Sequence, residues 1–129
     1  MSDLRALVES GLVDKEDGTI FDIKNNLLWQ QSHSEEKMGW EEAIEYCKSL
    51  TLAGHSDWRL PTKEELETLV NEKYKPSIDP IFKCEAMFCW SSSTNVSTPY
   101  DAWLINFRLG NTFFGSRGTS GFVRAVRDV

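Results

Sequence analysis

Long apolar runs are missing from this chain. No stretch approaches the roughly 20 apolar residues that a helix needs to cross a bilayer. The first residues also lack the basic, apolar and small-residue succession of a secretory leader. As it stands, the chain is expected to be cytoplasmic, or secreted or surface-displayed if a leader or a larger chain was trimmed away. Cysteine is scarce and odd in number, three in 129 residues, which fits a reducing compartment better than a disulfide framework. Basic charge is also short: 14 Lys and Arg stand against 20 Asp and Glu, for a formal net charge of -6. Nucleic acids, heparin-like polymers and anionic membranes all require basic patches, so the balance disfavours them. A protein, or a neutral or cationic small molecule or glycan, is the partner that the overall charge favours.

Aromatic residues are plentiful, with five Trp and seven Phe, and they imply an aromatic-rich core. The length suits one domain, read as residues 1–129 with 1–17 as a lead-in. Leu4, Leu7, Val8 and Leu12 fall at helical spacing in that lead-in. Asp17-Gly18 is a turn signal, and residues 19–23 then read as a strand. Lys24-Asn25-Asn26 is a tight connection, and residues 27–30 return as the second strand of a hairpin. After a polar loop over 32–38, Trp40, Ala43, Ile44, Cys47 and Leu50 form the apolar stripe of an amphipathic helix over 39–50. A second helix is expected over 62–73. Residues 76–83 form an irregular connection, 86–91 a strand around Phe88 and Trp90, and 92–99 a polar loop.

Residues 101–108 are the strongest strand. Trp103, Ile105 and Phe107 are expected on a core face, and Leu104, Asn106 and Arg108 on the opposite one. Gly110-Asn111 signals a hairpin returning through 112–115, and 121–127 reads as the closing strand. The elements together describe an α+β domain: two helices packed on a mainly antiparallel sheet.

One stretch organises the rest, Asp57-Trp58-Arg59-Leu60-Pro61-Thr62 followed by Glu64-Glu65-Leu66. Pro61 pushes Leu60 into an extended conformation. Thr62 can cap a helix, and Glu65 stands at capping-box spacing from it. Trp58 reads as a buried anchor, and Arg59 as the partner of a carboxylate or of backbone carbonyls.

This stretch, about thirty residues ahead of Trp90-Ser91-Ser92-Ser93, resembles the Lcl C-terminal domain family. That bacterial family is of unknown function, and its namesake is the terminal domain of a collagen-like surface adhesin. The resemblance covers about residues 18–127, and the hairpin from Gly18 to Trp29 is similar to the family's "GTVTD…TGLMW". It implies a C-type-lectin-like fold, shared with the formylglycine-generating enzymes, in which first and last strands are neighbours. It also implies that the polar loop after Trp90 is where a ligand would be held.

The candidate sites follow. Cys84 and Cys89 could be structural thiols, a labile disulfide, a redox couple or half of a soft-metal site. The formylglycine-generating enzymes use a similarly spaced pair with copper, but their Arg-Gly-Gly-Ser-type segment is absent here. The Glu-Pro-Asn or Gln-Pro-Asp and Trp-Asn-Asp motifs of calcium-dependent lectins are absent too. Residues 92–101 offer one carboxylate, Asp101, where calcium takes about six to eight oxygens. No cofactor or metal is therefore expected. His33 and His55 read as hydrogen-bonded loop residues. Arg108, Arg117, Arg124 and Arg127 are expected to pair with the surplus carboxylates. The function expected is non-enzymatic binding of a ligand or protein, in keeping with an adhesion-related role. The candidate contacts are Asn95, Tyr100 and Asp101 at the loop, with Asn106, Arg108, Asn111 and Arg117 on the strands beyond. The alternative is formylglycine-generating-enzyme-like or thiol redox activity at Cys84 and Cys89.

Overall fold

In a computed structural model, which describes residues 10–85 and 88–129, the chain runs β1 (Leu12–Asp14), β2 (Thr19–Asp22), β3 (Leu27–Gln30), α1 (Trp40–Ser49), α2 (Lys63–Glu67), β4 (Phe88–Thr94), β5 (Asp101–Asn106), β6 (Asn111–Ser116) and β7 (Val126–Asp128). One antiparallel sheet has the order β1-β2-β3-β7, and a second has the order β4-β5-β6. The mainly antiparallel, α+β expectation holds, with two short helices among the described residues.

The N-terminal hairpin forms where expected. Asn26 closes its connection in the left-handed region, at φ 54°, a conformation that Asn tolerates better than most residues. Asp22 is buried inside the turn, and its carboxylate accepts from the Asn25 side chain at 2.8 Å and from Trp29 Nε1 at 3.3 Å.

The lead-in differs from expectation. Leu4, Leu7 and Val8 lie outside the described residues, but Leu12 belongs to β1 and pairs with Asp22 of β2. That strand occupies the outer edge of β2. The closing strand consequently pairs with β3, Trp29 opposite Val126, so one sheet joins the two ends of the chain but its first and last strands are not neighbours. The closing strand is also shorter than the expected 121–127. Gly121 pairs with Met38 and Phe122 with Cys89, while Val123 and Ala125 bond to Ser34 and Gln30. The segment is extended throughout, but it changes partners as it crosses from one sheet to the other.

Helix α1 agrees with expectation within a residue at each end. Its apolar stripe buries Ala43 and Cys47, and the Glu42 carboxylate accepts from the Gly39 amide at 3.1 Å. Helix α2 is much shorter than the expected 62–73. Its capping box forms as read, with the Glu65 amide donating to Thr62 Oγ1 at 3.1 Å and the Thr62 amide to Glu65 Oε1 at 2.8 Å. Past Glu67 the backbone tightens: Leu69 donates to Leu66 and Val70 to Glu67, three residues back. Asn71 then donates to Ser77, and Val70 bridges Ile78. The loop closing on Ser77 takes the Asn71 amide that a further helix turn would have used.

The strand expected over 86–91 begins with two residues outside the described set. Its described part runs on to Thr94, so the polar loop starts later than expected. Strand β5 departs from the expected facing in an instructive way. Ile105 and Phe107 pack with Ile20, Trp29, Leu66 and Cys89 on one side. Ala102 and Leu104 are equally buried on the other, with Trp58, Leu60, Trp90 and Val123, while Trp103 is only half-buried. Alternation along a strand sends neighbours to opposite faces, and this sheet has a core on both. Leu104 packs so closely that a Cβ on Gly115 would stand 2.7 Å from its Cδ1, and one on Gly121 would stand 2.9 Å from its Cδ2. The segment around Gly121 is therefore a cover laid over the Trp90 and Leu104 face.

Candidate functional site

The organising stretch proves to be a seam that ties α2 to the closing strand. Arg59 and Val126 exchange both backbone hydrogen bonds, at 2.8 and 2.9 Å. The Arg59 guanidinium forms a fork onto Glu65, with both contacts at 2.8 Å, and also reaches the Asp128 carboxylate at 2.9 Å. Such bidentate geometry matches guanidinium to carboxylate better than a lysine could. Hydrogen bonding from Arg59 holds the Glu65 carboxyl below its ordinary range. Asp57 takes Arg127 in the same manner at 2.6 and 3.0 Å. Trp58 is buried and donates its indole N–H to the His55 carbonyl at 3.0 Å. Arg59 has the carboxylate pairing expected of it, and the side chains of this stretch are occupied with structure.

Of the four arginines expected to pair with carboxylates, Arg127 does so. Arg124 is completely buried and has no carboxylate partner among the described residues. Its Nη1 donates to the carbonyls of Gln30 and Gln31 and its Nη2 to Lys83, with the guanidinium 5.1 Å from the Phe82 ring centroid. Its Nε has no partner among the described residues. The Cys84 and Cys89 side chains lie within the field of its charge. Both thiols are free. Cys84 is half-buried, and Cys89 is fully enclosed, where burial pushes its thiol up to about 12. A thiol in that condition is a poor nucleophile. Cys47, buried beneath α1, is pushed up to about 12 for the same reason.

The seven candidate contact residues separate into two groups at opposite ends of β5. At one end lie Asn95, Tyr100, Asp101 and Arg117. Asn95 Oδ1 caps the Ser97 amide, and the Asp101 amide and carbonyl close the loop on Thr98 and Asn95. Arg117 lies over Trp40 at 4.5 Å and 5.8 Å from the Tyr100 ring centroid, and donates to the Pro99 carbonyl. At the other end lie Asn106, Arg108 and Asn111, with Asn106 and Asn111 paired across the hairpin. Six strand residues separate the groups by roughly 17 Å, so they do not form a single site.

The second end is concave. Asn106 and Arg108 line a cavity of about 510 Å³ together with Phe88, Leu109, Lys37 and Phe122. Ligand pockets commonly span about 300–1,000 Å³. A second hollow of about 440 Å³ continues from it past Lys37 and Ser120 towards Arg117. The even-numbered face of β5 is thus covered at Ala102 and Leu104 and opens at Asn106, where the segment around Gly121 ends its cover; the strand expected to reach 108 stops there, and Arg108 lies in the turn beyond it. Sequence reasoning missed Lys37, Phe88, Leu109 and Phe122. Leu109 carried a signal, being an apolar residue at a turn tip. Lys37 and Phe122 are brought in from remote segments and carried none.

Among the described residues, no three His, Cys, Asp or Glu side chains converge as metal ligands, and no helix is long and apolar enough to cross a membrane. A search of curated proteins finds no match for the chain. The family model described as the Lcl C-terminal domain matches residues 18–127, which takes in the hairpin, both helices, the pairing of Arg59 with Val126 and Glu65, and the residues lining the cavity. The chain belongs to the Lcl C-terminal domain family.

Proposed function

We propose that this chain is a non-enzymatic binding module of C-type-lectin-like fold whose ligand seats in the cavity beside Asn106 and Arg108. One observation carries the reading: two polar residues singled out on the strand line a concave, partly apolar hollow of about 510 Å³. Strand β5 supports them from beneath, because Leu104, Ile105 and Phe107 are buried on either side of it. Binding geometry is kept by such a rigid backing. An adhesion-related role fits a domain that recognises something without transforming it.

Amide mapping by NMR during a fragment and glycan screen tests the reading. Ligands should shift the amides of Phe88, Asn106, Arg108 and Phe122. Asn106→Ala and Arg108→Ala should weaken them with folding intact, while Cys84→Ser and Cys89→Ser leave binding unchanged. If ligands mapped instead to the Cys84 region, and the thiol substitutions abolished the response, the redox alternative would replace this reading.

A further inference from the structure

We infer that the cavity takes a small organic anion, a carboxylate carried on an aromatic or branched apolar body; this rests on the binding-module reading above. The polar groups of the cavity are overwhelmingly donors. Lys37 and Arg108 are both exposed, and neither has an ion-pair partner among the described residues. The Lys37 ammonium lies 5.8 Å from the Phe122 ring centroid. Asn106 spends its carboxamide oxygen on the Arg108 amide, at 2.9 Å. That bond fixes the orientation of the amide and leaves its NH₂ without an acceptor among the described residues. Among the described residues, no carboxylate lines this hollow; Glu41 and Glu42 line the adjoining one, which shares Lys37. In a chain of net charge -6, two cations without ion-pair partners facing one hollow form a local reversal of sign. An ionised carboxylate accepts hydrogen bonds and donates none, so it is the complement of this set.

The apolar half of the ligand follows from the side chains next to these polar groups, Phe88 being the register partner of Asn106 on β4. Phe88 is 42% exposed and Leu109 65% exposed, and both line this cavity. Phe88 is braced edge-on against Phe113, with centroids 5.0 Å apart, so its open face is held in place. The volume suits a small molecule better than a polymer segment. The overall acidity of the chain disfavours polyanions, whose charges extend beyond the hollow into that field. A single carboxylate meets Lys37 and Arg108 first.

The probes are 1-naphthoate and its uncharged counterpart 1-naphthamide, titrated by calorimetry and mapped by NMR. Naphthoate is expected to bind about tenfold more tightly than naphthamide, the factor that one charge-assisted contact supplies. Lys37→Gln and Arg108→Gln should each reduce naphthoate affinity about threefold, and the double variant should erase the preference between the probes. Both side chains are exposed, and an unchanged melting temperature verifies that the variants fold. Salt at about 1 M, where the screening length is about 3 Å, should weaken naphthoate and leave naphthamide unaffected. Equal affinity for the two probes, with Phe88 and Phe122 amides shifting, would overturn the anion and keep the binding site. Naphthoate binding that the double variant leaves intact would also overturn the anion. If neither probe shifted those amides, both the anion and the site would fall.

Discussion

Replacing Arg124 with Met should lower the stability of the domain by about 2–4 kcal/mol. The guanidinium is fully enclosed, and burial alone opposes its charge. It is kept in place by three carbonyls drawn from two separate stretches, those of the adjacent Gln30 and Gln31, the former at 2.8 Å, and that of Lys83 at 2.9 Å. Methionine fills a similar space with a flexible apolar chain but donates nothing. The Gln31 carbonyl retains the Lys83 amide at 3.0 Å, so the loss falls mainly on Gln30 and Lys83. Each buried acceptor left without a donor costs about 1–3 kcal/mol. Against this, the substitution removes a desolvated charge and its orphan Nε, which can recover several kcal/mol where a buried ion was poorly compensated. Here the compensation is good, since two nitrogens of the fork are bonded and an aromatic face lies beneath, so the carbonyl cost wins. Urea denaturation followed by tryptophan fluorescence measures the difference. Arg127→Met, which breaks an exposed pair with Asp57, is the control and should cost no more than about 1 kcal/mol. An Arg124→Met protein as stable as the parent would refute the reasoning. Arg124 would then be neutral to stability, and its place beside Cys84 would need a chemical explanation.

Two further outcomes follow from the seam around Arg59. Trp58→Ala should cost about 3–5 kcal/mol, as for other buried aromatics, and Thr62→Ala only about 1 kcal/mol as a lost cap; the reverse order in denaturation would remove Trp58 from its place as anchor. Glu65 has a folded pKa depressed below its ordinary 4.5, chiefly by hydrogen bonding to Arg59. Its contribution is therefore fully present above about pH 4.5 and is lost as the pH falls through the lower folded value. Glu65→Gln should be less stable than the parent at neutral pH and should lose less stability on acidification, whereas parallel acid limbs would show that Glu65 carries no such linkage.

The local signals in the sequence decided the local structure. Asn26 and the apolar returns on either side of it determine the first hairpin, because turn conformation and strand periodicity are settled within a few residues. The Thr62 and Glu65 capping box forms for the same reason: both partners lie within one helical turn. The extent of α2 was not legible, because it ends where a loop closing on Ser77 takes the Asn71 amide. The neighbour of the closing strand was not legible either, since it depends on Leu12 reaching the edge of β2. The facing of β5 was half legible. Asn106 and Arg108 do open to solvent, but Trp103-Leu104-Ile105 is a continuous apolar run, the mark of a strand buried on both faces. The cavity itself is tertiary. Lys37, Phe88 and Phe122 come from three segments far apart in the chain: the pairing of β4 with β5 sets Phe88 beside Asn106, and the crossing of residues 121–125 between the sheets brings in Phe122 and Lys37. Sequence periodicity reports which face a residue takes on its own element. Which remote segment covers that face, and where the cover stops, depends on packing alone.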